Sequence, residues 1–173
     1  MSKEVVTSTK RIFIDDKNKA YLSEKYHPNG CLSERTALHK NMKHGIQTCF
    51  AVNGTLTQEN NYFRNEKHGS FKTYREDSGI LKTFEQYENN KLNGVQKLWF
   101  INGKIMTESN YSHGVLNGRR REWFSNGILR CDENWLDGKL DGIKKMWDSN
   151  GGLVEEIIYL KGVKHYPNLS KDK

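Results

Sequence analysis

Proline, cysteine and long apolar runs are all scarce in this sequence. Only Pro28 and Pro167 occur among 173 residues, which suits a chain made mostly of strands, because proline cannot donate a ladder hydrogen bond. Cys31, Cys49 and Cys131 have neither disulfide nor metal-site spacing, so we expect reduced thiols in an intracellular, cytoplasmic protein. We identify no segment with the apolar length of a signal peptide or a membrane span.

Glycine, by contrast, recurs at a fixed period. One set of glycines repeats every 24 or 25 residues, and a second glycine follows each of the first five after 15 residues. The first set is Gly30, Gly54, Gly79, Gly103, Gly127 and Gly151, and the second set is Gly45, Gly69, Gly94, Gly118 and Gly142. A period of this length indicates a repeat architecture, in which each unit buries its apolar face against its neighbours.

Three apolar columns keep a constant position relative to the first glycine of each unit. The Trp column lies four residues before it, or five in the third repeat, where one residue is inserted. The Leu and Tyr columns follow it by two and eight residues. The Trp column is Tyr26, Phe50, Tyr74, Trp99, Trp123 and Trp147; the Leu column is Leu32, Leu56, Leu81, Ile105, Leu129 and Leu153; the Tyr column is Leu38, Tyr62, Tyr87, Tyr111, Trp135 and Tyr159. Short apolar runs around Asn-Gly predict β-hairpins, and we expect all three columns to share one face of a sheet.

The parity of the side chains predicts the turn. A three-residue loop such as Ser125-Asn126-Gly127 places the Trp and Leu columns opposite one another, so we predict a type I turn with a left-handed glycine. The same register places Arg120 opposite Asp132, Lys144 opposite Glu156 and Gln96 opposite Glu108. A second left-handed position, occupied only by asparagine or glycine, is expected at Asn41, Asn65, Asn90, Gly114, Gly138 and Gly162.

The predicted fold class is all-β, an elongated single-sheet solenoid of about six stacked antiparallel β-hairpins. Residues 1–20 are expected to form an N-terminal capping segment with a degenerate half-repeat. Residues 21–166 hold the six repeats, and residues 167–173 form a charged C-terminal tail that is expected to fray. The repeats leave no room for a second domain.

The basic residues include one regular column. The net charge is +7. In four of the six repeats a cation lies six residues before the first glycine, or seven in the third repeat with its inserted residue, on the predicted face of the Trp column. The candidate partner-binding face consists of Lys72, Lys97, Trp99, Arg121, Trp123, Lys145 and Trp147. Two interpretations of its cations stay open: a groove for acidic groups, or long stems that cover the apolar ladder while their charges reach water.

Other candidate sites have simpler explanations. The run Arg119-Arg120-Arg121 could contact phosphate, but we favour local pairing with carboxylates across strands. The rings could stack on bases, but their recurrence favours packing, so a nucleic-acid partner is not expected. His44 and His68 share one repeat column at a turn, and the other four histidines are scattered. We find no catalytic constellation, metal-ligand spacing or phosphate loop. The sequence therefore predicts a protein that is not an enzyme and holds no cofactor or metal.

Two segments carry a family resemblance. Trp-Phe-Ser-Asn-Gly-Ile-Leu at 123–129 and Trp-Leu-Asp-Gly-Lys-Leu-Asp-Gly at 135–142 resemble the variant subtype of the MORN repeat, and the likeness covers about residues 21–166. The chain is also similar to bacterial proteins labelled YwqK-type antitoxins and to repeat proteins of large DNA viruses and protists. The resemblance implies a non-enzymatic scaffold that binds a protein partner, with an antitoxin-like role as one instance.

Two alternative functions stay open at this point. The basic column could bind an anionic phospholipid membrane. Open sheet ends could support homotypic assembly, as an end-to-end or edge dimer, because an unpaired strand edge can pair with another chain. The partner and the oligomeric state are not encoded in the repeat.

The repeat predicts a measurable shape. A compact globule of this length has a radius of gyration of about 16 Å, whereas a row of hairpins should give a larger value and an elongated profile in small-angle X-ray scattering. A radius of gyration at the globular value would contradict the predicted solenoid.

Overall fold

The computed structural model describes residues 8–15 and 17–165. The chain divides into two compact units, Met1–Leu92 and Asn93–Lys173, which we describe separately. Within the described residues there are strands and turns and no helix. The all-β class is therefore confirmed. The predicted tail, residues 167–173, lies outside the described residues, as do residues 1–7.

Antiparallel strands follow one another in chain order in both units. The first unit contains β1 (Ser8–Asp15), β2 (Ala20–Tyr26), β3 (Leu32–His39), β4 (Met42–Phe50), β5 (Leu56–Phe63), β6 (Glu66–Tyr74) and β7 (Leu81–Glu88). The second contains β8 (Lys91–Trp99), which begins just before the boundary, β9 (Ile105–Ser112), β10 (Val115–Trp123), β11 (Leu129–Leu136), β12 (Lys139–Leu140), β13 (Gly142–Trp147), β14 (Leu153–Leu160) and β15 (Val163–His165). The predicted open sheet of antiparallel hairpins is confirmed.

The turn at the first glycine of each repeat has the predicted geometry. In the β10–β11 hairpin, the Gly127 amide donates to the Phe124 carbonyl over 2.9 Å, and the Phe124 amide donates to the Ile128 carbonyl over 2.9 Å. Three residues therefore form the loop. Gly127 has a φ of 95°, a conformation in which a Cβ is strained. The third repeat accommodates its inserted residue in this turn. Its Arg75 amide donates to the Ile80 carbonyl, so the loop is one residue longer than in the β10–β11 hairpin.

Asparagine in this turn has a role that the hairpin pattern did not reveal. The Asn126 Oδ1 accepts from the Ile128 amide over 3.0 Å, and its Nδ2 donates to the Ser149 carbonyl over 2.9 Å. Asn102 bonds Lys104 and the Ser125 carbonyl in the same way. The side chain thus closes its own loop and ties it to the loop of the following hairpin.

The second turn of each repeat is a two-residue loop with two left-handed residues. Asp137 and Gly138 have φ values of 48° and 76°, as a type I′ turn requires. The predicted second position is left-handed in all six repeats, at Asn41, Asn65, Asn90, Gly114, Gly138 and Gly162. Asparagine and glycine recur there because they tolerate positive φ best.

A β-bulge follows the Leu column and corrects the predicted register. Trp123 lies opposite Leu129 as expected, but Glu122 lies opposite Cys131, so Arg130 is an extra, unpaired residue. All six hairpins that contain a Leu-column residue show this shift. The three predicted cross-strand pairs are therefore wrong by one residue. Arg120 lies opposite Glu133, Lys144 opposite Ile157 and Gln96 opposite Ser109.

The same bulge moves the Tyr column to the other face. Side chains alternate along a strand, so one extra residue between the Leu and Tyr columns reverses the parity. In the second unit we call the side that carries Trp123 and Arg121 the front face and the side that carries Trp135 and Glu133 the rear face. The expectation that all three columns share one face is wrong: the Trp and Leu columns lie in front and the Tyr column behind.

The turn geometry predicts how Gly127 responds to substitution. Gly127→Ala should lower the free energy of unfolding by about 1–2 kcal/mol, because alanine is strained at positive φ. Gly127→Asn should cost less, because asparagine tolerates this region. Urea denaturation of both variants measures the difference. Equal losses for the two variants would show that φ at this position does not limit stability.

Candidate interaction surface

The front face of the second unit carries a row of rings and aliphatic side chains across six strands. Each hairpin places a tryptophan on its first strand opposite an aliphatic residue on its second. The pairs are Trp99 with Ile105, Trp123 with Leu129 and Trp147 with Leu153. Leu153 is 54% exposed. The Trp column is therefore part of a partly exposed apolar row, as the Trp–Leu pairing predicted.

A second row on the front face alternates in charge from strand to strand. Each member lies opposite the next in the hydrogen-bonded register. In strand order, this ion ladder is Lys97, Glu108, Arg121, Asp132, Lys145 and Glu156. Because unlike charges on adjacent strands attract, the ladder stabilises the sheet by a fraction of a kcal/mol per pair.

Close contacts link Lys97, Glu108 and Arg121 of the ion ladder, and likewise Lys145 and Glu156. Glu108 accepts Lys97 at 2.8 Å and Arg121 at 2.5 Å. These two cations hold the pKa of the Glu108 carboxyl below its usual range, Lys97 having the larger effect. Lys145 contacts Glu156 at 3.1 Å. Asp132 is held by both the Nε and a terminal nitrogen of Arg119, which lies two residues before Arg121 on the same face.

The cations of the predicted basic stripe are paired with carboxylates, which neither interpretation from the sequence had included. Lys97, Arg121 and Lys145 are each paired with carboxylates, and Arg121 also lies over the Trp123 ring at 5.4 Å. Sequence reasoning missed the carboxylates. Their signal was present, since Glu108, Asp132 and Glu156 all fall five residues after a first-set glycine.

Lys72, in the first unit, is also paired. Its ammonium contacts Glu59 on the adjacent strand at 2.5 Å, and this hydrogen bond raises the pKa of Lys72 above its usual value. Lys72 lies opposite Glu59 on one side and Phe84 on the other. All four cations of the candidate face thus have a carboxylate partner within their own unit.

The rear face of the second unit contains a buried carboxylate. Glu133 is 2% exposed and accepts Arg120 at 2.6 Å, the Trp135 indole N–H at 3.0 Å and Lys144 at 3.3 Å. Burial alone would raise the pKa of the Glu133 carboxyl, but the hydrogen bonds from Arg120 and Trp135 and the charge of Lys144 hold it below its usual value. A buried charge of this kind needs such partners.

These contacts account for the arginine run. Arg119 pairs with Asp132, Arg120 with Glu133 and Glu122, and Arg121 with Glu108. The interpretation as local pairing is confirmed, although the partners differ from those that the predicted register gave. Alternation along β10 sends Arg120 to the rear face and its two neighbours to the front.

Rings of the first unit pack together on the side that carries Tyr62. Phe71 lies 5.2 Å from the Tyr62 ring and 4.9 Å from the Tyr87 ring, and Lys67 covers both Phe71 and Tyr87. Burial and the hydrogen bond to Glu85 raise the pKa of Tyr87 to about 12. This packing supports the view that the Tyr column is first of all structural.

His44 and His68, which share a repeat column, form a second ring row with His39 and Phe63. His44 lies 5.7 Å from His39 and 4.9 Å from Phe63, which lies 6.0 Å from His68. Within residues 8–15 and 17–165, no group of three or more potential ligands could hold a metal ion.

The cysteines are free thiols. Cys131 lies behind the sheet beside Glu133, with its Sγ 3.5 Å from Oε2. Burial, and to a smaller extent the charge of Glu133, raises the pKa of the Cys131 thiol to about 11. This thiol is therefore not activated as a nucleophile. In the part of the chain that the structure describes, no helix is long and apolar enough to cross a membrane.

Serial antiparallel β-hairpins with left-handed glycine turns define this chain as a β-hairpin repeat protein. The family model described as "MORN repeat variant" matches residues 92–113 and 140–161. The matches at these two repeats support a MORN repeat protein of the variant subtype. MORN repeats are generally interaction or scaffold modules and are typically not enzymes. A search of curated proteins finds no match.

The rear-face contacts predict that Glu133 matters for stability in a pH-dependent way. Glu133→Gln should lower the free energy of unfolding at pH 7 by about 3 kcal/mol, because it removes the charge that compensates Arg120 and Lys144. The folded-state pKa of Glu133 is lowered, so the wild-type advantage is present above the unfolded value and is lost as the pH falls through the folded value.

Urea denaturation between pH 7 and acid pH measures this dependence. The exposed Glu155 provides a control, and its change to glutamine should alter the free energy of unfolding by less than about 0.5 kcal/mol. If the difference in free energy of unfolding between wild type and Glu133→Gln stays constant down to acid pH, the assignment of Glu133 as a stabilising charged carboxylate is contradicted.

Proposed function

We propose that the chain is a non-enzymatic interaction module that binds a protein partner through the front face of its second unit. The supporting observation is the combination of a partly exposed tryptophan row with an adjacent row of paired charges. Protein interfaces are enriched in tryptophan and arginine, and a few such side chains carry most of the binding free energy. Trp123, with Arg121 over its ring, is the proposed centre of the contact.

The charge pairing favours a protein over an anionic membrane. Attraction to anionic lipid depends on the surplus of positive charge near the surface. The ion ladder holds three cations and three carboxylates, so its own surplus is zero. A neutral ladder of this kind instead complements a surface that carries both signs of charge. Phospholipid binding through this column is therefore the weaker of the two proposals.

The proposed location is the cytoplasm, where three free thiols stay reduced. An antitoxin-like role would be one instance of the proposed function, in which the front face covers an effector protein. Scaffolding between two proteins would be another. Both need the same surface, and neither needs a catalytic group.

The test is affinity capture from source cells followed by direct binding of the captured protein in purified form. Trp123→Ala should weaken binding about 30-fold or more, as expected for loss of a central side chain worth about 2 kcal/mol. Arg121→Glu should weaken it as well. Lys164→Glu, an equal charge change at an exposed position of β15, is the matched control and should leave binding unchanged.

Circular dichroism would confirm that each variant is folded. Binding that withstands both front-face changes would refute the assignment of this surface. Binding to anionic vesicles that is lost with added salt and with Arg121→Glu, without a protein partner, would favour the membrane alternative.

A further inference from the structure

The two rows of the front face have a symmetry that follows from the two-strand repeat. Every first strand of a hairpin carries a tryptophan and a cation, and every second strand carries an aliphatic residue and a carboxylate. Across β8, β9, β10, β11, β13 and β14 the apolar row therefore alternates ring and aliphatic, and the ion ladder alternates positive and negative. Both rows have six members.

Each row alternates between two kinds of residue and has an even number of members. If the order of the row is reversed, every position that held one kind of residue therefore holds the other kind. A two-fold axis that runs parallel to the strands, midway between β10 and β11, reverses the strand order but keeps each row at its own height along the strands. It places Arg121 opposite Asp132 of the second copy, and Trp123 opposite Leu129 of the second copy. All six cation–carboxylate positions and all six ring–aliphatic positions match in this way.

We infer that the front face of the second unit binds the same face of a second copy of this chain, with this two-fold axis. The inference rests on the proposed function, because it names the partner of the same surface. Such an interface is isologous, so each contact occurs twice. A two-fold axis perpendicular to the strands that runs along the ion ladder would instead place each cation opposite the same cation of the second copy, and repulsion disfavours that arrangement.

The size of the face fits a stable dimer. Six strands spaced about 4.8 Å apart, each about eight residues long at about 3.4 Å per residue, present roughly 780 Å² per copy. Specific interfaces bury about 800 Å² per partner. The axis keeps the strands of the two copies nearly aligned, as in ordinary packing of one sheet on another.

The two rows have different tasks in this dimer. Burial of the tryptophans against Ile105, Leu129 and Leu153 provides most of the free energy, since apolar area removed from water is the main favourable term in association. The ion ladder adds less affinity, because its members are already paired within each chain. Its effect is on register and partner choice, where a like-charge contact is costly.

The first unit provides an internal comparison. Its equivalent row, in strand order from β2 to β7, is Glu24, Arg35, Thr48, Glu59, Lys72 and Phe84. The alternation is broken at Thr48 and Phe84. Reversal of this row places Arg35 opposite Lys72, so the first unit is not self-complementary. The inference therefore concerns the second unit alone.

A charge-exchange experiment tests the inference directly. The Arg121→Asp variant has carboxylates at both central positions, 121 and 132, and the Asp132→Arg variant has cations at both. Like charges therefore face one another in a dimer of either variant. The dimer dissociation constant of each variant alone should be at least tenfold higher than that of wild type. An equimolar mixture restores attraction at both central positions and should form a heterodimer. Sedimentation velocity over a concentration series, with one variant fluorescently labelled, measures all three samples.

Rescue by mixing separates contact between copies from damage within one chain, because each chain keeps its own broken intramolecular pair. Circular dichroism checks folding, and Glu108→Lys with Lys145→Glu provides a second exchange pair at the next positions of the axis. Lys164→Glu is the control and should dimerise as wild type does. A monomeric wild type at all concentrations, or variants that are not rescued by mixing, would overturn the inference.

The outcomes also distinguish this inference from the proposed function. A monomeric wild type that still captures another protein through Trp123 would refute the dimer and leave the interaction module standing. A monomeric wild type whose front face binds no protein would refute both.

Discussion

The bulge that follows the Leu column is the constraint on which the two faces depend. Trp123 lies opposite Leu129, and the ladder then gains one residue on the second strand, so that Glu122 lies opposite Cys131. Because side chains alternate with a period of two, this single residue decides which side every later position occupies. It sends Trp135 behind the sheet and brings Asp132 level with Arg121. Without it, the cations of the front face would lie opposite different residues.

The two sides of the sheet consequently hold charge in different ways. Glu133 is buried behind the sheet by its immediate neighbours, and it therefore requires hydrogen bonds from Arg120 and Trp135. In front, Lys97 and Arg121 stay about one third exposed while they cover Glu108, which is 18% exposed. The rear cluster is thus enclosed within the fold, whereas the front ladder keeps its cations partly exposed to solvent.

The sequence predicts local turn chemistry well and register poorly. The positive φ of Gly127 and Gly138 follows from the residue types that recur there, because few others tolerate it. The extra residue at the bulge could not be inferred in this way, since Arg130 occupies a position filled by Ser33, Thr57, Lys82, Met106 and Val154 in the other repeats and no residue type marks it. The face assignment of the Tyr column and the partners of Arg120 failed for that one reason. The link from Asn126 to the next loop was missed because it joins residues 23 positions apart.

Regularity of the repeat and complementarity of the front face are the same property. The family model matches residues 92–113 and 140–161, which apart from Leu92 lie in the second unit, and this is the unit in which the ion ladder alternates without a break. If every first strand carries one kind of residue and every second strand carries the other, a row across any whole number of hairpins alternates and has an even number of members. A second copy of that row in reversed strand order then places each kind of residue opposite the other kind. Substitutions such as those at Thr48 and Phe84 remove this property without disturbing the hairpins, because the turns and the Trp–Leu pairs do not depend on the ladder. Divergence of individual repeats can therefore change the charge pattern of the face while the fold stays constant.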